Sequence, residues 1–198
     1  MSGKSIDEHP PDKLIDVVLT RAVDCARLGD QHAFTRLFEH YNQPICTYLT
    51  RLVGKNDLVQ ELAQDTFIQA WQYLPTLRDP AKFRPWLYRI ATNVVKSYWR
   101  RTKGLQCRSW QEDEESNTDK ALIVDAPDEH IGEKELIRLV LEQLSPAERT
   151  CLALQTEGFR PREIAELLEI SETYVSVHIS RGKKRFRQIY QHLEGGRA

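Results

Sequence analysis

Between Gln111 and Asp119 the chain runs Gln-Glu-Asp-Glu-Glu-Ser-Asn-Thr-Asp, without one apolar side chain. Such a stretch buries nothing that could offset the cost of ordering its backbone, about 1–2 kcal/mol per residue. It lies past the middle of a 198-residue chain, a length that allows one large domain or two small ones, each able to bury only a modest core. Two small domains are expected, over 14–103 and 133–198, joined by a flexible acidic linker over 104–132 and preceded by a flexible N-terminus over 1–13. Charge follows the same division. Residues 14–103 carry 13 basic and 8 acidic side chains, residues 104–135 carry 3 and 10, and residues 136–198 carry 10 and 8. Two basic blocks around an acidic strip are a pattern of nucleic-acid binders, hidden in a net charge of only −1.

Several function classes fall away. No apolar run approaches the ~20 residues of a membrane span, and the N-terminus lacks a signal-peptide core, so a cytoplasmic protein without membrane insertion is expected. Cys25, Cys46, Cys107 and Cys151 form no CxxC pair, and the six histidines make no zinc-finger spacing with them. Isolated buried thiols, no disulfide, no metal and no cofactor are expected. A P-loop and a glycine-rich phosphate cradle are both missing, which argues against an enzyme with a small-molecule substrate.

Periodicity of three and four residues dominates on both sides of the acidic strip, and strict strand alternation is absent, so the expected fold is all-α. Leu14 to about Leu28 reads as a helix stopped by Gly29-Asp30. Ala33, Phe34, Leu37, Phe38 and Tyr41 mark the next, and Pro44 reads as the start of another that ends at Val53-Gly54. Val59, Leu62, Ala63, Phe67, Ala70, Trp71 and Leu74 form one stripe, ended by Pro75. After a loop over Thr76–Arg84, a helix is expected from Pro85 to about Lys103. Beyond the linker, Leu136, Leu139, Val140 and Leu144 share a face. Ser145-Pro146-Ala147-Glu148 combines a capping box with proline at the first helical position. Pro161–Leu168, the turn Glu169-Ile170 and a long helix capped by Ser171 make a helix-turn-helix. Glu169 stands in that turn where glycine would tolerate a positive φ more readily.

Two surfaces carry chemistry. On the last helix Val175, Ile179, Gly182, Phe186, Ile189 and Leu193 share an inward stripe. Ser176, Ser180, Lys184 and Arg187 lie opposite, flanked by Val177 and Arg181, as a helix entering a major groove requires. On the Pro85–Lys103 helix, Arg89, Lys96, Arg100 and Lys103 fall within a band of about 60° at about 100° per residue. Like charges stacked this way repel unless a polyanion meets them. Phe83, Trp86, Tyr88, Tyr98 and Trp99 interleave with Arg84, Arg89, Arg100 and Arg101, which suits single-stranded nucleic acid. A duplex-reading helix and a strand-binding helix on one chain suggest promoter opening.

Specific motifs sharpen this. Asp30 through Tyr41, Glu61-Leu62-Ala63-Gln64-Asp65-Thr66-Phe67-Ile68-Gln69-Ala70-Trp71 and Phe83-Arg84-Pro85-Trp86-Leu87-Tyr88-Arg89-Ile90-Ala91-Thr92-Asn93 resemble region 2 of bacterial extracytoplasmic-function (ECF) sigma factors. Leu144-Ser145-Pro146-Ala147-Glu148-Arg149, Gly158-Phe159 and Glu163-Ile164-Ala165-Glu166-Leu167-Leu168-Glu169-Ile170-Ser171 resemble region 4 of the same family. The span between them is too short for the region 3 domain of primary sigma factors.

The resemblance implies an initiation factor that directs core RNA polymerase to promoters and assists melting. It implies that the helix bearing Glu61, Gln64 and Asp65 holds the polymerase β′ clamp helices, with region 4 meeting the β flap. It implies a minus-ten surface of Arg78, Lys82, Phe83, Arg84, Trp86, Arg89, Asn93, Lys96 and Arg100, with the Thr76–Arg84 loop capturing a flipped base. Ser176, Val177, Ser180, Arg181 and Lys184 would read the minus-thirty-five element, although family members often carry a basic residue at Ser176 and an arginine at His178. The acidic linker matches the segment that threads toward the polymerase active centre, and an anti-sigma partner is implied. A stand-alone helix-turn-helix regulator would account for the C-terminal segment but not for the basic-aromatic helix or the acidic strip.

Overall fold

The computed structural model describes residues 10–54, 56–103 and 132–195; the acidic segment over 104–131 and the chain before Pro10 lie outside them. Among the described residues every regular element is helical. In order these are α1 (Pro10–Arg27), α2 (Gln31–Val53), α3 (Asn56–Tyr73), α4 (Phe83–Lys103), α5 (Glu133–Glu142), α6 (Pro146–Thr156), α7 (Pro161–Leu168) and α8 (Glu172–Gly195). Short 3-10 turns at Leu74–Thr76 and Pro80–Lys82 connect α3 to α4.

Local signals account for most boundaries. Asp30 caps α2, its Oδ1 accepting from the backbone N–H of His32 at 2.9 Å and of Ala33 at 3.1 Å. Ser145 and Glu148 close a reciprocal capping box at the start of α6. Ser171 Oγ accepts from the N–H of Tyr174 at 3.2 Å, capping α8.

Three expected boundaries shift, all at prolines. α1 starts at Pro10 instead of Leu14, because the fixed φ of proline suits a first turn and its missing N–H costs nothing there. α4 starts at Phe83 instead of Pro85; a third-position proline also lies among N–H groups that have no partner inside the helix. Pro44 opens no helix of its own, since α2 runs through it from Gln31 to Val53. An internal proline costs about 3 kcal/mol, but Tyr41, Ile45, Tyr48, Leu49 and Leu52 are buried on both sides of it. Each such side chain contributes about 1.5–3 kcal/mol, so burial wins.

The two helical domains on either side of the acidic segment meet through apolar surface. One contiguous apolar cluster runs from Ala22, Leu37, Ile45 and Leu87 in α1, α2 and α4 into Cys151, Leu154, Phe159, Ile164 and Val175 beyond the acidic segment. A smaller cluster, Leu136, Val140, Leu144, Ile189 and Leu193, fastens α5 to α8. Gly182 permits a close crossing: a Cβ there would stand 2.9 Å from Leu152 Cδ1 and 3.2 Å from Glu148 Cβ, so α6 and α8 meet where no side chain intervenes. Of the thiols, Cys151 is buried and Cys46 half-buried, whereas Cys25, expected inside, is exposed. Cys107 lies outside the described residues.

Candidate nucleic-acid interface

α4 divides its residues cleanly. Leu87, Tyr88, Ile90, Ala91, Val94 and Val95 are buried, while Arg89, Asn93 and Arg100 are exposed and Lys96 is half-buried. The side chain of Lys103 lies outside the described set. Ahead of α4, Arg78 and Lys82 are exposed and Trp86 half-buried. The connection is tied down at two points: Asp79 Oδ1 accepts from Ala81 N–H at 3.0 Å and the Leu77 side chain is buried. Phe83 departs from the expectation. It is only 2 % exposed, with its ring centroid 5.4 Å from that of Tyr41 and 5.8 Å from that of Trp86. Its ring therefore supports the surface from beneath and cannot present a stacking face to a base.

On α8, Ser176, Ser180, Arg181 and Lys184 are exposed and Val177 is half-buried, all turned away from the buried Val175, Ile179, Gly182, Ile189 and Leu193. His178 is 4 % exposed, packed at 4.2 Å between ring centroids against Tyr174. A histidine in place of an arginine at that position therefore concerns packing, not an outward contact. The turn before α8 is tight. Glu169 takes φ 60 and ψ 43, the one positive φ outside glycine among the described residues.

The third set lies on α3. Glu61 and Gln64 are exposed and Asp65 half-buried. Beside them, Phe38 at 39 % and Ile68 at 47 % leave large apolar surface in solvent. With Phe34, Phe67 and Trp71 they line a groove of about 730 Å³ between α2 and α3. Helical period alone places Phe38 on the inner stripe, so this apolar strip was missed; its signal is the width of a stripe too broad for a single partner helix.

What the sequence could not show is that part of the basic face is occupied. The turn between α6 and α7 lies against α4 and α2, with Gly158 at φ +86 reversing the chain. Glu157 accepts from Arg51 through Oε1 and from the Tyr88 hydroxyl through Oε2 at 2.7 Å. Its backbone carbonyl accepts from Arg84. The Phe159 ring lies 4.5 Å from the Arg84 guanidinium and meets Tyr88 edge-on at 5.1 Å. Arg89 pairs with Glu169 at 3.2 Å. Burial, reinforced by the Glu157 carboxylate, holds the Tyr88 hydroxyl well above the ordinary phenol range. Arg149 adds a second bridge, donating to the carbonyls of Leu52 at 2.8 Å, Glu142 at 2.9 Å and Leu144 at 3.1 Å. Desolvation lowers its pKa from the usual arginine value, yet a guanidinium stays cationic at neutral pH.

Among the described residues no group of three His, Cys, Asp or Glu is placed to hold a metal, and no helix is long and apolar enough to cross a membrane. A helix-turn-helix behind an exposed polar helix, and a basic-aromatic helix beside an acidic-apolar groove, define a two-region promoter-recognition subunit. Residues 37–104 match the family model of Sigma-70 region 2, and residues 134–186 that of Sigma-70, region 4. The chain belongs to the sigma factors of bacterial RNA polymerase, and within them to the ECF type. Its relatives include the ECF RNA polymerase sigma-E factor of Haemophilus influenzae, 28 % identical over 86 % of this chain and 94 % of that one. They also include the RNA polymerase sigma factor SigZ of Bacillus subtilis, 27 % identical over 81 % and 90 %. Among solved structures, CnrH in complex with the cytosolic domain of CnrY shares the fold at TM-score 0.65 and 20 % identity, over 88 % of this chain and 98 % of that one. The sigma factor RpoE in complex with the anti-sigma factor NepR from Bartonella quintana does so at TM-score 0.62 and 19 % identity, over 80 % and 96 %. The family consists of transcription initiation factors, and this chain directs RNA polymerase to promoters and assists initiation.

Proposed function

We propose that three surfaces divide that work on this chain, on a region 2 domain over 14–103 and a region 4 domain over 133–198. Glu61, Gln64 and Asp65, with the apolar strip of Phe38 and Ile68, hold the β′ clamp helices of core polymerase; carboxylates around an apolar centre suit a basic coiled coil. Arg78, Lys82, Arg84, Trp86, Arg89, Asn93, Lys96 and Arg100 take the unpaired minus-ten strand, with Phe83 as support. Ser176, Val177, Ser180, Arg181 and Lys184 read the minus-thirty-five duplex while region 4 meets the β flap. The protein works in the cytoplasm, and an anti-sigma factor, as in the complexes of its structural relatives, holds it in check.

The observation that carries this reading is that most side chains of the three sets are exposed, on or just ahead of helices whose opposite faces supply the core. Charge reversal on α3 tests it. Glu61→Lys and Asp65→Lys should weaken core-polymerase binding about ten-fold or more, as expected when like charges oppose across an interface, while thermal melting stays unchanged. Intact affinity in folded variants removes α3 from the polymerase interface.

A further inference from the structure

Where α5, α6 and α8 meet α2 they leave a groove of about 510 Å³. Its walls are apolar: Ile137 and Leu141 of α5, Leu152 of α6, and Phe186 and Tyr190 of α8, all half-buried. The two pairs are spaced i and i+4, so each presents one row along its helix. The Phe186 and Tyr190 rings lie 14° from parallel with centroids 6.1 Å apart, a continuous aromatic wall. The same helical step sets Lys183 and Arg187, both exposed, in a second row beside them on the lining. Neither has an ion-pair partner among the described residues. Arg51, on the α2 side, donates through Nη1 to Glu157 and has further N–H groups to offer. No acidic side chain lines the groove among the described residues.

Two physical demands meet here. Half-buried apolar walls gain from a hydrocarbon body that excludes water from them. Cations gathered on one lining without a carboxylate repel one another until an anion joins them. Pockets of about 300–1,000 Å³, mostly apolar with a few placed polar groups, are the ones that hold small molecules. We propose that this groove binds a small amphipathic acid of the fatty-acid type. Its carboxylate is held by Lys183 and Arg187, with Arg51 on the same lining, and its hydrocarbon body lies against Ile137, Leu141, Leu152 and Phe186. Such a ligand touches α2 on one side of the acidic segment and α5, α6 and α8 on the other. Its binding is therefore coupled to the junction between the two domains, and it depends on neither the reading of α3 nor that of α4.

Monomeric dodecanoate, kept below its micellar concentration, is the probe. It is titrated into the full chain by calorimetry, with thermal melting alongside. Binding should raise the melting temperature, as any ligand selective for the folded state does. Octanoate should bind about ten-fold more weakly or less tightly still, since each buried methylene contributes up to about four-fold in affinity. Dodecyltrimethylammonium, with the same body and the opposite head, should also bind about ten-fold more weakly than dodecanoate, for want of charge-assisted hydrogen bonds. Lys183→Glu/Arg187→Glu should invert that preference while circular dichroism shows the helices retained. Should the reversal lose helicity, Lys183→Gln/Arg187→Gln decides instead: dodecanoate affinity should drop about ten-fold with the cationic amphiphile little changed. Affinity independent of chain length, or an unaltered head-group preference in a folded double variant, overturns the site. So does binding of phosphatidylglycerol vesicles or of an acidic amphipathic peptide without binding of monomeric dodecanoate, since the groove is then a membrane or protein surface.

Discussion

Tyr48 and Thr92 are both buried, and the hydroxyl contact between them at 2.7 Å has one direction. Thr92 Oγ1 spends its only proton on the carbonyl of Tyr88 at 2.7 Å, so the Tyr48 hydroxyl is the donor to Thr92. Thr92→Val strips that donor of its acceptor inside the core, which costs about 1–3 kcal/mol, whereas Tyr48→Phe removes a donor whose partner stays satisfied, at about 1 kcal/mol. Urea unfolding should rank them in that order; the reverse ranking would invert the donor assignment. Burial also raises the titration of Tyr48 and, chiefly by the same desolvation, pushes the Cys151 thiol up to about 12. Groups whose pKa rises on folding stabilise below their unfolded values, so stability should fall as pH climbs past about 9 to 10. Thermal melts at pH 7 and 10 check this. At this scale the sequence disclosed which side chains share a helix face, such as Ser176 and Ser180 opposite Val175 and Ile179. It could not disclose Glu157 with Arg51 or Glu169 with Arg89, because those partners are 106 and 80 residues apart and no local spacing encodes them.

Helix edges were legible wherever a cap residue or a glycine wrote them, at Asp30, Ser145, Gly158 and Ser171. They were misread at prolines, where local rules predict a start or a stop and burial on both sides overrides them, as at Pro44. Gly182 shows a different kind of blindness: within a helix its period marks it as inward, but only the fold reveals that α6 passes directly over it. Gly182→Ala would normally favour a helix by about 1 kcal/mol. Here the new methyl would meet Leu152 at 2.9 Å, and overpacking costs about 1–3 kcal/mol, so a net loss of stability is expected. Trimming the obstruction with Leu152→Ala should reduce the penalty of the glycine substitution in a double-mutant cycle. Strictly additive losses would show that α6 and α8 shift apart freely.

For the molecule as a whole, the charge asymmetry was legible and the closure of the two segments on each other was not, since the apolar positions at their junction look like ordinary core in each. Lys96→Ala and Arg100→Ala should lower open-complex formation on every promoter and reduce the salt slope by about 0.7 per lost phosphate contact on a single strand. Permanganate footprinting across a salt series measures both; an unaltered slope would exclude the stripe from strand binding. The closed arrangement also has a consequence for which promoters are bound at all. Elements at minus ten and minus thirty-five lie about 25 base pairs apart, roughly 85 Å of duplex at about 3.4 Å per pair. A compact chain of this length is only about 40 Å across, from a radius of gyration near 16 Å. A ruler half the length of the object cannot span it while folded. The work of unfolding it is subtracted equally from the binding of every promoter, which strong sites survive and weak ones do not. The contact between the regions thereby sets a threshold on promoter quality without touching a base.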